Sequence, residues 1–130
     1  MLDTHVWIWS QEAQEKLGRR AQKILTSSDD ERVVSAISTF EIARLIGRGR
    51  ILLKQSFANW KSKSLHDLVA TTIDVTHEVA WDAYNLPGQF HKDPADRILV
   101  ATARLHGFTV LTADDSILRY AHVKSFSALR

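Results

Sequence analysis

Acidic residues stand repeatedly where a short strand-like run gives way to helical spacing, and this repetition constrains the chain more than any other feature. Asp3 follows Met1-Leu2, Glu41 follows Val33-Val34-Ser35-Ala36-Ile37, and Asp114 follows Phe108-Thr109-Val110-Leu111-Thr112. Asp96 opens the segment that carries Ile98, Leu99 and Val100. Strands that alternate with helices indicate an α/β domain with a mainly parallel sheet. In such sheets ligands bind beyond the carboxyl ends of the strands. Carboxylates gathered there repel one another and raise each other's pKa unless a divalent cation lies between them. The pattern points first to a Mg²⁺ or Mn²⁺ site.

The intervening segments fit this scheme. Thr4 to Ser10 reads as a strand exit carrying Trp7, Ile8 and Trp9, and the recurrence of Leu17, Ala21, Ile24 and Leu25 predicts a helix over about residues 12–26. Ser27-Ser28-Asp29-Asp30 is a polar turn before a strand over Arg32 to Ile37. A helix is expected from Ser38, ended by Gly47-Arg48-Gly49-Arg50. Phe57, Trp60, Ser64, Leu65 and Leu68 mark another helix, Ile73 and Val75 a short strand, and Val79, Ala80 and Ala83 a helix broken by Leu86-Pro87-Gly88. Asp93-Pro94 opens a helix that runs to about His106 and stops at Gly107. Phe108 to Thr112 is the clearest strand, followed by a turn or helix around Ile117 to Tyr120 and a strand around Val123 to Phe126. No repeat or linker interrupts the order, so residues 1–130 are expected to form one domain.

With 130 residues, 45% of them apolar, the chain can bury a core without staples. It has no cysteine, which excludes thiolate metal sites and a cysteine nucleophile and leaves oxygen or imidazole to hold a metal. No segment approaches the ~18 apolar residues of a membrane span, and no basic leader precedes an apolar run, so a soluble, cytoplasmic protein is expected. The net charge is +2, and neutralising several acids with metal would leave a more basic surface, a weak pointer to an anionic partner.

Each acid has an ordinary explanation when taken singly. Ser38-Thr39-Phe40-Glu41 matches a capping box, and Asp93 suits a helix cap with Pro94 at the first helical position. Asp96 would favour the positive end of the helix dipole, while Asp3 and either Asp114 or Asp115 would cap the first and last helices. Capping does not require the acids to share one sheet edge. A metal site does.

Four blocks then resemble a known family. They are Leu2-Asp3-Thr4-His5 with Trp7 and Trp9, Ser35-Ala36-Ile37-Ser38-Thr39-Phe40-Glu41-Ile42, His91-Lys92-Asp93-Pro94-Ala95-Asp96-Arg97 continuing through Ala103, and Leu111-Thr112-Ala113-Asp114. In order and spacing they look like the PIN-domain ribonucleases, with the VapC toxins of bacterial toxin and antitoxin pairs as the nearest branch. The Asp-Pro-x-Asp-Arg block is the most specific. The resemblance implies a three-layer α/β/α domain and places the acidic quartet on Asp3, Glu41, Asp96 and Asp114. It adds Asp93 as an auxiliary acid near the rim and Thr112 as a hydroxyl beside the metal. Asp115 competes with Asp114 because adjacent acids leave the register open by one residue. The strand before Asp3 is shorter than the family's, so either its start is trimmed or the strand leans on its neighbours.

The implied activity is that of an endoribonuclease, active as a homodimer and inhibited by a cognate antitoxin. One or two Mg²⁺ or Mn²⁺ ions would activate water and stabilise the leaving alkoxide. Arg44, Arg48, Arg50, Lys54, Lys92 and Arg97 suit either RNA phosphates or an ordinary solvated surface. Looped or single-stranded RNA fits better than duplex. His5 and His91 read mainly as packing or hydrogen-bonding residues, and Trp7, Trp9, Trp60 and Trp81 as core or partner contacts. Two other classes compete. An aspartyl-nucleophile phosphatase usually needs an Asp two residues after the first, where this chain has His5. A decayed RNA- or protein-binding module would retain the fold without binding a divalent ion.

Overall fold

Two short parallel strand pairs form the sheet in the computed structural model, which describes residues 1–129. β1 (Arg32–Ser35) pairs with β2 (Ala70–Ile73), and β3 (Thr109–Thr112) pairs with β4 (Lys124–Ser127). Leu2 bridges the pairs, in parallel with both Val34 and Leu111, which gives the order β2-β1-Leu2-β3-β4. The Leu2 amide donates to Val33 at 2.9 Å, the Asp3 amide to Leu111 at 3.0 Å, and the Leu111 amide to Met1 at 2.9 Å. Leu2 is thus held on both sides by its neighbours.

Pleating sends alternate side chains to opposite faces. Met1 and Val110 enter the core beneath α5 (His77–Tyr84) and α6 (Pro94–His106), which also holds Val79, Leu99 and Val100. Leu2 and Leu111 enter the core shared with α1 (Thr4–Glu12), α2 (Arg19–Thr26) and α4 (Phe57–Leu68), with Trp7, Leu25 and Trp60. Helices therefore cover both faces, and α3 (Ala36–Gly47) follows β1 while the short α7 (Asp115–Leu118) follows β3. This is the expected three-layer arrangement. Leu2 is only 2% exposed, and burying a side chain of its size contributes about 2 kcal/mol.

The amino-terminal third departs from the sequence reading. Thr4 to Ser10 is helix, and the continuous helix expected over residues 12–26 is split by a 3₁₀ turn at Gln14–Lys16. Thr4 and Ser10 are buried with Val6, Trp7 and Ile8, while the outward face of His5 and Glu12 carries Trp9, so polarity along α1 does not follow its helical period. Extended backbone at Gly18 then resets the chain for α2. β1 ends at Ser35 instead of Ile37, and α3 begins at Ala36 instead of Ser38. The cause is local: the Ser35 hydroxyl accepts from the Ile37 amide at 3.1 Å and caps the helix two residues into the apolar run. β2 ends at Ile73, short of Val75.

The second half follows expectation. The Asp93 side chain accepts from the Ala95 amide at 3.1 Å with Pro94 at the first helical position, and Gly107 closes α6 in the left-handed region at φ 71°. The Phe108 amide returns to Ala103 at 2.9 Å, which turns the chain directly into β3.

Candidate functional site

The carboxyl ends of the central elements converge at one edge. Asp3 leaves the Leu2 strand and heads α1, Thr112 ends β3, and Asp114 caps α7 by accepting from the Ser116 amide at 2.7 Å. Glu41 projects from α3, and Asp96 lies in the first turn of α6. Carboxylate oxygens of Asp3, Glu41 and Asp96 all lie within 4.8 Å of one another. A second set of the same compactness joins Asp96 to Asp114 and His91. Asp96 belongs to both. The quartet expected from sequence is therefore gathered, and Asp114, not Asp115, faces it; Asp115 is exposed and lies 3.7 Å from Arg119.

Hydroxyls fix the acids from behind. Asp3 Oδ1 accepts from the Thr4 amide at 2.7 Å, and Asp3 Oδ2 accepts from the Thr112 hydroxyl at 2.5 Å. Thr112 Oγ1 in turn accepts from the Asp114 amide at 2.9 Å. The Thr4 hydroxyl donates to Glu41 Oε1 at 2.5 Å, with the buried Ser38 Oγ 2.8 Å from the same hydroxyl. Ser38 and Glu41 therefore form no capping box; both side chains turn inward to Thr4. Thr4 and Ser38 were missed in the sequence, where the only signal was a hydroxyl beside each acidic block.

Burial and mutual repulsion push the acids toward their neutral forms. Desolvation raises Asp3, opposed by the Thr112 hydroxyl and the Thr4 amide. Desolvation also raises Glu41, opposed by the Thr4 hydroxyl and reinforced by Asp3. Asp96 is pushed up to about 8, by desolvation first and then by the charges of Asp3, Asp93, Glu41 and Asp114. Among the described residues, no Lys or Arg forms an ion pair with Asp3, Glu41 or Asp96. Carboxylates this close, with no Lys or Arg between them, could hold a hard divalent cation.

His91 supplies an independent sign. Its Nε2 is buried, lies 3.1 Å from Asp96 Oδ2, and still makes no aligned hydrogen bond. Nδ1 accepts from the Asp93 amide at 3.3 Å. With Nδ1 accepting, Nε2 carries the ring proton toward Asp96, so His91 either pairs with that carboxylate or turns with it toward a cation. His91, read from sequence as a packing or hydrogen-bonding residue, does both: the ring packs on Phe90 at 4.4 Å and accepts from the Asp93 amide, while its outer nitrogen faces the acids.

The basic residues divide. Arg97 donates to the carbonyls of Ala83 at 2.8 Å, Phe90 at 3.0 Å, His91 at 3.1 Å and Tyr84 at 3.3 Å, so it braces the loop before α6 and is spent on structure. Arg44 remains exposed and lines a cavity of about 280 Å³ together with Glu41 and Asp93. Trp7 and Trp60 pack in the core with centroids 4.9 Å apart, and Trp7 Nε1 donates to Ser64 at 2.9 Å. Trp81 is exposed, and no described helix is long and apolar enough to cross a membrane.

Comparison with known proteins adds sequence and fold likeness to this geometry. The PIN domain family model matches residues 1–123. Ribonuclease VapC22 of Mycobacterium tuberculosis (strain ATCC 25618 / H37Rv) is 34% identical over 122 residues, which cover 94% of this chain and 92% of that protein. A toxin-antitoxin complex from Klebsiella pneumoniae contains a chain of similar fold, with TM-score 0.63 at 18% identity over 94% of this chain and 92% of its own. VapBC2 from Rickettsia felis, in a crystal structure bound to a DNA fragment from its promoter, gives TM-score 0.67 at 13% identity, covering 98% of this chain and 96% of the other.

Proposed function

Because this chain belongs to the PIN domain family, we propose that it is a divalent-metal-dependent endoribonuclease toxin of the VapC kind, neutralised by a cognate antitoxin. The observation that carries this reading is the gathering of Asp3, Glu41 and Asp96 within 4.8 Å at the sheet edge, with Asp114 and His91 around the shared Asp96. Likeness to Ribonuclease VapC22 over 94% of the chain supports the substrate class.

Asp3, Glu41, Asp96 and Asp114 are the residues that would hold Mg²⁺ or Mn²⁺, with His91 within reach of the second set. When bound, the ion supplies a more acidic water and charge stabilisation for a phosphodiester undergoing displacement. The protein's own contribution is orientation. Thr112 fixes one oxygen of Asp3, Thr4 holds Glu41, and the Asp93 cap anchors the helix start that carries Asp96. Arg44, beside Glu41 and Asp93, is placed to meet an RNA phosphate at the rim, and the exposed Arg48, Arg50 and Lys54 extend that cationic surface.

Exposed apolar side chains support partners. Phe40 is 65% exposed, Leu52 86%, Trp81 73% and Tyr84 85%, apolar side chains available to an antitoxin segment and to a second copy of the chain. A cytoplasmic homodimer follows as part of the same reading. All four acids are retained at one edge, which favours an intact site over a decayed binding module.

The test is cleavage of total RNA by purified, antitoxin-free protein with Mg²⁺ or Mn²⁺, beside EDTA and Asp96→Asn. Discrete fragments that vanish in both controls are expected. Absence of cleavage by folded protein with either metal would overturn the nuclease reading.

A further inference from the structure

A cavity of about 400 Å³ opens directly beside the acids, between the loop before α6 and the chain from α7 to β4. Its wall includes Gln89, Phe90, His91, Arg119, Tyr120 and His122, and contains no carboxylate. It touches the acidic site at both ends: His91 lies 3.1 Å from Asp96, and the Ser116 amide, also in the wall, is held by Asp114 at 2.7 Å. Rings line it continuously, with centroids 4.4 Å apart for Phe90 and His91, 4.9 Å for Phe90 and Tyr120, and 5.4 Å for Tyr120 and His122.

The cavity is braced. The Tyr120 hydroxyl donates to the Pro87 carbonyl across the two segments, and Arg104 donates to the His122 carbonyl from behind. Gly88 approaches His122 so closely that a Cβ there would stand 3.3 Å from its Nε2, and its φ of +65° favours glycine independently. Arg119 is 81% exposed and tied only to an equally exposed Asp115 at 3.7 Å, so its guanidinium is available to an anion.

We infer that this cavity is a nucleobase subsite: it receives one unstacked base of the RNA next to the cleaved phosphodiester, with His122 as the exposed stacking ring and Gln89 reading the base edge. Its size falls in the ~300–1,000 Å³ range of small-ligand pockets. Aromatic faces accept any base by stacking, and a cation held only by a solvent-exposed carboxylate suits the adjoining phosphate. Duplex RNA would have to unpair to enter, so the subsite selects loops and single strands. This inference rests on the ribonuclease reading, and its test separates the two.

A short RNA carrying one 2-aminopurine is titrated with Asp96→Asn protein in Mg²⁺, which binds without cutting, and the same RNA is offered to the wild type for cleavage. Quenching of 2-aminopurine is expected. Adding His122→Ala should weaken the quenching titration about tenfold or more, whereas His122→Phe should retain it. Equal quenching with and without the His122 ring, alongside wild-type cleavage, overturns the subsite and leaves the nuclease reading standing. Ring-dependent quenching without wild-type cleavage overturns the nuclease reading and, with it, the placing of the base beside a cleaved bond. No quenching by any variant overturns the subsite.

Discussion

Thr112 ties Asp3, at the start of the chain, to Asp114 near its end: its hydroxyl donates to Asp3 Oδ2 at 2.5 Å and accepts from the Asp114 amide at 2.9 Å. Replacing it with the near-isosteric valine removes both bonds without opening a cavity. Thr112→Val should lower stability by about 1–3 kcal/mol, because Asp3 is left buried with one partner fewer. RNA cleavage should fall at least about tenfold from misorientation of Asp3. Denaturant unfolding beside cleavage rates checks both; unchanged cleavage would remove Thr112 from the positioning scheme.

Asp96 couples stability to pH. Its pKa in the fold is about 8, well above the ordinary carboxylate value, so the folded state holds a proton that the unfolded chain releases near pH ~4. The associated stability is complete below that lower value and is lost as pH rises through about 8. Metal-free wild type should therefore lose stability on the order of a few kcal/mol between pH ~4 and ~9. Asp96→Asn should flatten this slope, be the more stable form at pH ~9, and fail to cleave RNA. Urea unfolding across pH is the measurement, and a parallel slope in the variant would contradict it.

Metal should act in the opposite direction. Protons and divalent ions compete for the same oxygens, so Mn²⁺ should raise Tm more at pH ~8 than at pH ~5. EDTA should abolish the difference. Thermal scans with and without Mn²⁺ at both pH values suffice, and an equal rise at both would place the ion away from Asp96.

Arg97 is expected to be irreplaceable by lysine. Its guanidinium serves the carbonyls of Ala83, Tyr84, Phe90 and His91 at once, a fork that a single ammonium cannot reproduce. Arg97→Lys should cost about 2 kcal/mol or more by leaving part-buried carbonyls unpaired. The loop that carries His91 should loosen with it, visible as faster amide exchange over residues 85–92.

Val69 offers a gain. It closes α4 in the left-handed region at φ 50°, where a β-branched residue is strained, and it is 76% exposed. Val69→Gly should stabilise by about 1 kcal/mol with cleavage unchanged, as read by urea midpoint.

Much of this arrangement was legible in the residues. The Asp93-Pro94 cap, the Gly107 stop and the β-branched run at Val110 each act through local chemistry and appear where expected. The acids were legible as a group because each follows a strand-to-helix junction. Most of what stayed hidden depends on contacts distant in sequence. α1 lost its period because the sheet and α4 bury polar Thr4 and Ser10 beside Trp7, whereas the α3 start moved for a local reason, Ser35 taking the capping role. The inward turn of Glu41 needs Thr4, which lies 37 positions earlier, and the placement of His91 needs Arg97 and its carbonyls.

The central place of Leu2 has a consequence for synthesis. Leu2 leaves the ribosome more than a hundred residues ahead of Leu111, one of its two partners, whose amide donates to Met1 at 2.9 Å. Until that late segment emerges, the nascent chain has half a sheet, and Asp3 has neither Thr112 nor Asp114 beside it. Incomplete translation products would therefore lack an assembled site, and an aborted copy would be harmless to the RNA around it.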